Sequence, residues 1–204
     1  MNMNLHKNDL PADVRFSSSV AIDTETMGLV LKRDRLCLVQ LCSPEGEVHL
    51  VQMEPDGYHE AENLRRLLVD KDVLKIFHFA RFDVGILNHS LSIKVSPVYC
   101  TKIASKLART YSDKHGLKNL CKEVLNVEIS KHEQSSDWGN SSLSKEQLIY
   151  ARGDVVHLHA LKAKLDELLL REKRMSLAQK CFDAIELIVE LDQFGLPPEE
   201  LFQH

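Results

Sequence analysis

The sequence predicts a single α/β domain. Five short apolar runs have strand character, at 19–25, 36–42, 47–51, 73–79 and 98–100. After the third run the apolar spacing changes from alternation to a helical period. The chain has 204 residues, 44% hydrophobic and 27% charged, which suits one domain with a sizeable core.

The elements follow in order. Residues 1–14 are polar and have no apolar signal core. Ser-Val-Ala-Ile-Asp-Thr-Glu (19–25) and Leu-Cys-Leu-Val-Gln-Leu-Cys (36–42) read as neighbouring strands, with Gly28 and a charged stretch between them. A Ser-Pro-Glu-Gly turn leads to a third strand at 47–51, completing an antiparallel meander. Leu64, Leu67 and Leu68 form a helical stripe within 59–70, and 73–79 returns to a buried strand. Helices are expected at 82–90, 101–110 and 116–125, with a short strand at 98–100. The polar segment 130–144 reads as a loop. Ser142 or Ser144 can cap one long helix running to about Arg171, with Glu146 suitably placed in its first turn. A last helix, 175–194, stops at Gly195 and the Pro197-Pro198 pair, after which the tail should fray.

No apolar run approaches the roughly 18 residues of a membrane span, which together with the polar start predicts a cytoplasmic protein without membrane partners. Five cysteines, odd in number and without a C-x-x-C pair, read as reduced packing residues rather than a zinc site. The formal charge is −4. Four of the 30 acidic residues belong to the motifs described next, and the other 26 balance 26 basic ones, so the overall charge does not exclude a phosphodiester substrate.

Those four are Asp23 and Glu25 in Ala-Ile-Asp-Thr-Glu-Thr, Asp83 in His-Phe-Ala-Arg-Phe-Asp, and Asp154 in Tyr-Ala-Arg-Gly-Asp. Each has an ordinary reading when taken singly. Asp-x-Glu can be a solvated strand end, Asp83 a helix cap, and Tyr150 with Asp154 one packed ring and one solvated charge. Jointly they put carboxylates in three stretches that otherwise read as buried. Charges are rarely left there without partners. On a strand, Asp23 and Glu25 face the same side while Thr24 points away. On a helix, Tyr150 and Asp154 are stacked one turn apart. Divalent cations are the natural partners of such a set, and oxygen ligands suit Mg²⁺ or Mn²⁺.

Asp-x-Glu on a first strand, aromatic-Asp in the middle and Tyr-x-x-x-Asp on a late helix together resemble the tyrosine subclass of the DEDD 3′-5′ exonucleases. That superfamily includes ribonuclease D, oligoribonuclease and the proofreading domains of DNA polymerases. Trp138, Leu143-Ser144, Gln147-Leu148, Tyr150-Ala151 and Asp154-Val155 resemble the ribonuclease D run into the third motif. Arg33 to Cys37, Ile76 to Phe79 and Cys100 to Leu107 resemble the short bacterial nano-RNase C type. His78 stands where many family members have Asn.

The resemblance implies a ribonuclease H-like fold, a mixed five-stranded sheet flanked by helices, over one exonuclease domain at 1–204 without the additional helical module of ribonuclease D. It implies Asp23, Glu25, Asp83 and Asp154 as ligands of two divalent cations, Mg²⁺ or Mn²⁺, with Tyr150 orienting the attacking water. It also implies a loop of Thr26, Met27, Gly28 and Leu29 whose Leu29 or Met27 wedges against bases, with ordinary burial of Leu29 as the alternative. His78 and Phe82 join the substrate contacts. The expected activity is 3′-5′ hydrolysis of short single-stranded RNA, dinucleotides included, to 5′-mononucleotides. Alternatives are trimming of tRNA or structured RNA, a nuclease that also accepts DNA, and, in a different class, an inactive nucleic-acid-binding module. Nano-RNase C-type proteins form octamers, which implies a homo-oligomer here.

Lys102, Lys106 and Arg109 recur along one helical face, with Lys114, His115, Lys118 and Lys122 beyond. They either hold substrate phosphates or form a solvated face. Trp138 and Tyr111 could stack on bases, burial being the other fate of Trp138. His157 and His159 read as packing or surface residues. The apolar stripe of the last helix, Leu177 to Leu191, either covers the domain or meets another subunit.

Overall fold

The computed structural model describes residues 3–129 and 136–203. The strands are β1 (Met3–Lys7), β2 (Ser19–Thr26), β3 (Leu36–Cys42), β4 (Val48–Gln52), β5 (Leu74–Phe77) and β6 (Val98–Cys100). The helices are α1 (Glu62–Val69), α2 (Ala80–Leu91), α3 (Thr101–Ala108), α4 (Leu117–Leu125), α5 (Lys145–Val155), α6 (Leu158–Arg171), α7 (Met175–Phe194) and α8 (Pro198–Leu201). One six-stranded sheet runs β1-β4-β3-β2-β5-β6. The β2-β3-β4 meander is antiparallel, and β1-β4, β2-β5 and β5-β6 are parallel. The sheet is therefore mixed, as expected, and flanked by helices. Among the described residues, no helix is long and apolar enough to cross a membrane.

The runs of Val, Ile, Leu and Cys are strands because both of their faces are covered. Every residue of β3 and β4 is buried, the signature of interior strands. α5 packs across β2, β3 and β4, whereas α2 packs on β3, β5 and β6, with α7 against α2 and β6. Ile22, Leu38, Leu41, Leu50, Ile76 and Phe77 are fully buried at the centre of this core.

Two expectations about the body of the domain need correction, and a third concerns its C-terminus. The sheet has six strands, not five, because Met3–Lys7 pairs with β4 in register Met3↔Val48 to Lys7↔Gln52. As an edge strand it keeps only Met3 and His6 half-buried, so polar residues suffice where an interior strand would need apolar ones. The long helix expected up to Arg171 is two helices, α5 and α6, parted at Val156 and His157. Neither Pro nor Gly marks this junction. Each piece buries its own stripe: Ala151 and Val155 face the sheet from α5, and Leu158, Leu161, Leu165 and Leu169 are buried in α6, which packs on α3 and α4.

Ser144, not Ser142, caps α5. Its Oγ accepts from Gln147 N at 3.1 Å, and Gln147 Oε1 accepts from Ser144 N at 2.8 Å. Gln147 Nε2 also donates to Ser136 Oγ and to the Asp137 carbonyl, both at 3.0 Å, which ties the incoming loop to the helix. The expected loop thus holds over its described part, and the rest of it, 130–135, lies outside the described residues. At the C-terminus, the short helix α8 replaces the expected frayed tail.

Candidate active site

β2 is central in the sheet, and its C-terminal end carries Asp23 and Glu25 on one face, two residues apart. α5 crosses that end and contributes Asp154. One oxygen each of Asp23, Glu25 and Asp154 lie within 4.8 Å of one another. Asp83 comes from the first turn of α2 and is 4% exposed. Thr24, whose side chain leaves the strand opposite to its neighbours, donates its hydroxyl to Asp83 Oδ1 at 2.6 Å.

The carboxylates resist ionisation together. Burial and the charges of Asp83, Asp154 and Glu25 hold Asp23 well above the usual carboxylate range. Burial, then Asp154 and Asp83, push Glu25 up to about 9. Asp83 rises to about 7, mainly through burial, although the Thr24 hydrogen bond opposes this. Gln40, fully buried and directly opposite Asp23 on β3, has its Nε2 at 3.5 Å from Asp23 Oδ2 and 3.4 Å from Glu25 Oε1. An all-oxygen set of converging, mutually repelling carboxylates fits a hard divalent cation.

Tyr150 lies one turn before Asp154 and hydrogen-bonds to it. Burial and the charges of Asp154, Glu25 and Asp23 hold its phenol far above its ordinary range, so it stays protonated. Trp138, 3% exposed, tilts against the Tyr150 ring at 6.0 Å between centroids. Of its two expected fates it therefore takes burial, as a prop behind Tyr150.

A cavity of about 460 Å³ opens over the carboxylates, lined among others by Thr26, Leu29, His78, Phe79, Phe82, Lys102, Lys118 and Tyr150. A shift of register between Glu25 and Thr26 releases the chain from the sheet. Thr26 Oγ1 then donates to the Gly28 carbonyl at 2.5 Å, and Met27 N to the Arg35 carbonyl at 3.1 Å. A Cβ on Gly28 would sit 2.2 Å from an Asp34 carboxylate oxygen that accepts from Val30 N, so the tight loop requires glycine. The loop leaves Leu29 80% and Met27 61% exposed, which removes the buried alternative for Leu29. Leu29 lines the cavity, while Met27 lies near Gly139. Beside the carboxylates, His78 Nδ1 is 2.9 Å from Thr101 Oγ1, whose hydroxyl donates to the Phe77 carbonyl. Burial and then Lys102 lower His78 to about 4, so the ring is neutral.

The basic stripe divides. Lys102 reaches the cavity and Lys106 is exposed on the same helix without lining it. Arg109 departs from the expectation. It is 2% exposed and bonded to Ser105 Oγ, the Lys114 carbonyl and the Glu123 carboxylate, so it braces α3 against α4 instead of facing a substrate. Lys118 lines the cavity. Tyr111 is 78% exposed and outside the cavity lining. His159 packs with Nε2 3.2 Å from Ser19 Oγ. Thr24, Gln40 and Phe79 were not singled out from the sequence. Only the alternation within Asp-Thr-Glu, which sends Thr24 away from its neighbours, signals any of them beforehand.

A description of the 3′-5′ exonuclease family matches residues 6–170. The chain belongs to that family. Among solved structures, the exonuclease is similar over its whole length to Brucella melitensis NrnC, with 47% identity, 98% of that chain covered and a TM-score of 0.94. It is also similar to a form of that protein with bound Mg²⁺, with 46% identity, full coverage of both chains and a TM-score of 0.93. Among curated proteins it is 28% identical to ribonuclease D of Bartonella henselae over 94% of this chain and 46% of that one. It is 35% identical to ribonuclease D of Gluconacetobacter diazotrophicus over 76% of this chain and 39% of that one. The exonuclease thus spans about half the length or less of these curated relatives. Escherichia coli RNase D, at 23% identity and a TM-score of 0.73 over 85% of this chain and 45% of that one, shares the fold. The exonuclease is therefore a DEDD-type, NrnC-like member of its family.

Proposed function

We propose that this exonuclease is a metal-dependent 3′-5′ exoribonuclease that degrades short oligoribonucleotides, dinucleotides included, to 5′-mononucleotides. The observation that carries the reading is the convergence of Asp23, Glu25 and Asp154 within 4.8 Å, with protonated Tyr150 one turn from Asp154. In this reading Asp23, Glu25 and Asp154 hold two divalent cations, Mg²⁺ or Mn²⁺, with help from Asp83. When bound, such ions supply Lewis acidity to the attacking and leaving oxygens of an in-line displacement. Tyr150 orients the attacking water through its hydroxyl, turned from Asp154 once that carboxylate holds the cations, since its phenol holds its proton too firmly to act as base. Thr24 fixes the carboxylate of Asp83, and Gln40 spans Asp23 and Glu25. Leu29 wedges against a base, with Thr26, Met27 and Gly28 forming its loop. His78, Phe82 and Lys102 complete the substrate contacts within the cavity, with Lys106 exposed beyond its rim for a longer chain's phosphates.

The preference for short substrates is supported by full-length similarity to Brucella melitensis NrnC, which has been solved bound to pGG. The similarity to ribonuclease D favours a second reading, trimming of tRNA or other structured RNA. Turnover of end-labelled two-, three- and seven-nucleotide RNAs, a pre-tRNA and matched DNA, each with Mg²⁺ and with EDTA, separates these. The reading expects fastest turnover of the dinucleotide and none in EDTA. Dinucleotide turnover far slower than that of the pre-tRNA overturns the length preference, and metal-independent or absent hydrolysis overturns the enzyme.

The reading further takes residues 1–204 as one exonuclease domain, working in the cytoplasm as a homo-oligomer, an octamer by analogy. Leu177, Leu187 and Phe194 on α7 are at least half exposed and offer an apolar contact surface. Light scattering on the purified chain measures the subunit number, and a monomer would remove this part of the proposal.

A further inference from the structure

Phe79 joins β5 to α2 at the edge of the cavity, in a backbone conformation that its side chain makes costly. Its φ of 69° and ψ of 44° are left-handed, at the N-cap position of α2 where no side chain caps the helix. Glycine adopts this conformation freely and Asn or Asp tolerates it, whereas an aromatic residue is strained there. The hydrophobic core does not explain the choice, because Phe79 is 49% exposed. Strain kept at an exposed position points to use of the side chain rather than to packing. The ring lines the same cavity as Asp23, Glu25 and Asp154, and the Lys102 ammonium lies 3.8 Å from its centroid. The turn beneath it is fixed, since Thr101 links His78 to the Phe77 carbonyl.

We infer that Phe79 is a specificity-determining residue whose ring stacks on a substrate base beside the scissile phosphate, with Lys102 supplying positive charge next to it. This rests on the exoribonuclease reading above. An exposed π-face beside a cation is the surface that single-stranded nucleic acid takes without regard to sequence. The ring accepts any base, so it selects for the presence of a base rather than for its identity. Because the fold holds the ring out at the cavity rim before substrate arrives, little ordering remains to be done on binding.

The test follows Phe79→Gly, Phe79→Ala and Phe79→Trp in the full chain with Mg²⁺. KM and kcat are measured on 5′-phosphorylated diadenylate and on two analogues, each lacking one of the two bases. Phe79→Gly and Phe79→Ala should raise KM for diadenylate about tenfold, within the range for loss of one base stack, with little change in kcat. Phe79→Trp should restore it. Phe79→Gly should melt above Phe79→Ala, because glycine relieves the left-handed strain. The KM difference between wild type and Phe79→Gly should vanish on one of the two analogues, which identifies the stacked base. A wild-type KM for Phe79→Gly, or an equal KM rise on both analogues, would overturn the inference, since the ring would then act only through Lys102 or the turn. Wild-type turnover of heptaadenylate with none of diadenylate would instead count against the length preference, and the Phe79 comparison is then decided on heptaadenylate.

Discussion

Tyr150 and Asp154 stand one turn apart on α5, yet their chemistry differs, the one a phenol that keeps its proton and the other a carboxylate in the acidic cluster. The raised phenol of Tyr150 leaves it a donor at every working pH, so Tyr150→Phe should lower turnover about 100-fold by losing the oriented water, with the fold unchanged by circular dichroism. Asp154→Asn should abolish hydrolysis in the same assay. Gln40 makes a different prediction. Its Nε2 is shared by two carboxylates, while its Oε1 has no hydrogen-bond partner among the described residues. Gln40→Leu should weaken metal binding about tenfold, read directly by titrating Mn²⁺ against its free-ion spin-resonance signal. Unchanged Mn²⁺ affinity would confine Gln40 to packing. The acidic set and Tyr150 were legible in the sequence because their spacings place them on one strand face and one helix face. Gln40 was not, because its role depends on the register Asp23↔Gln40 across two strands. Arg109 misled for a related reason. Helical spacing put it with Lys102 and Lys106, but the spacing does not reveal that α4 brings Glu123 against that side.

Among the elements, β1 is held to the sheet partly by an imidazole pair. His6 and His49 stack at 5.3 Å, with Nε2 of one 3.0 Å from Nδ1 of the other. That contact needs one ring to donate and the other to accept, so neutral rings suit it. Burial and the neighbouring His49 lower His6, and burial lowers His49 against the opposing pull of Glu47 and Asp13. With folded values below the unfolded value of about 6.5, stability is fully present above that pH and is lost as pH falls through it, because the unfolded chain then binds more protons. Hydrogen exchange, corrected for intrinsic rates, should show β1 losing protection between about pH 7 and pH 5 while β3 keeps it, and His6→Leu should flatten that response. Equal pH responses in β1 and β3 would dismiss the pair as the cause. Elements were legible where burial was two-sided, as in β3, and least legible where tertiary contacts decide. β1 needs only an edge to pair with, and the break between α5 and α6 reflects two different packing surfaces rather than a helix-breaking residue.

For the molecule as a whole, the acidic cluster sets stability against function. Three half-buried, mutually repelling carboxylates, with buried Asp83 beside them, oppose folding until cations neutralise them. Saturating Mg²⁺ should therefore raise the melting temperature of the wild-type chain, by mass action at about 2.7 kcal/mol when its concentration is 100 times Kd. Asp23→Asn should melt higher than wild type in EDTA and gain little from Mg²⁺. Scanning calorimetry of both proteins with and without metal reads this, and an Asp23→Asn protein less stable than wild type in EDTA would refute the account. The overall α/β class was legible from the change of apolar period along the chain, which is a property of whole segments and tolerates errors at their ends.

The order in which the motifs occur along the chain has a consequence during synthesis. Asp23, Glu25 and Asp83 emerge early, on β2 and α2, whereas Asp154 and Tyr150 arrive only with α5. A nascent chain bearing the first two motifs lacks Asp154 and Tyr150. Under the proposed reading, the growing polypeptide therefore cannot cut until α5 has emerged and brought the last ligand to the earlier ones.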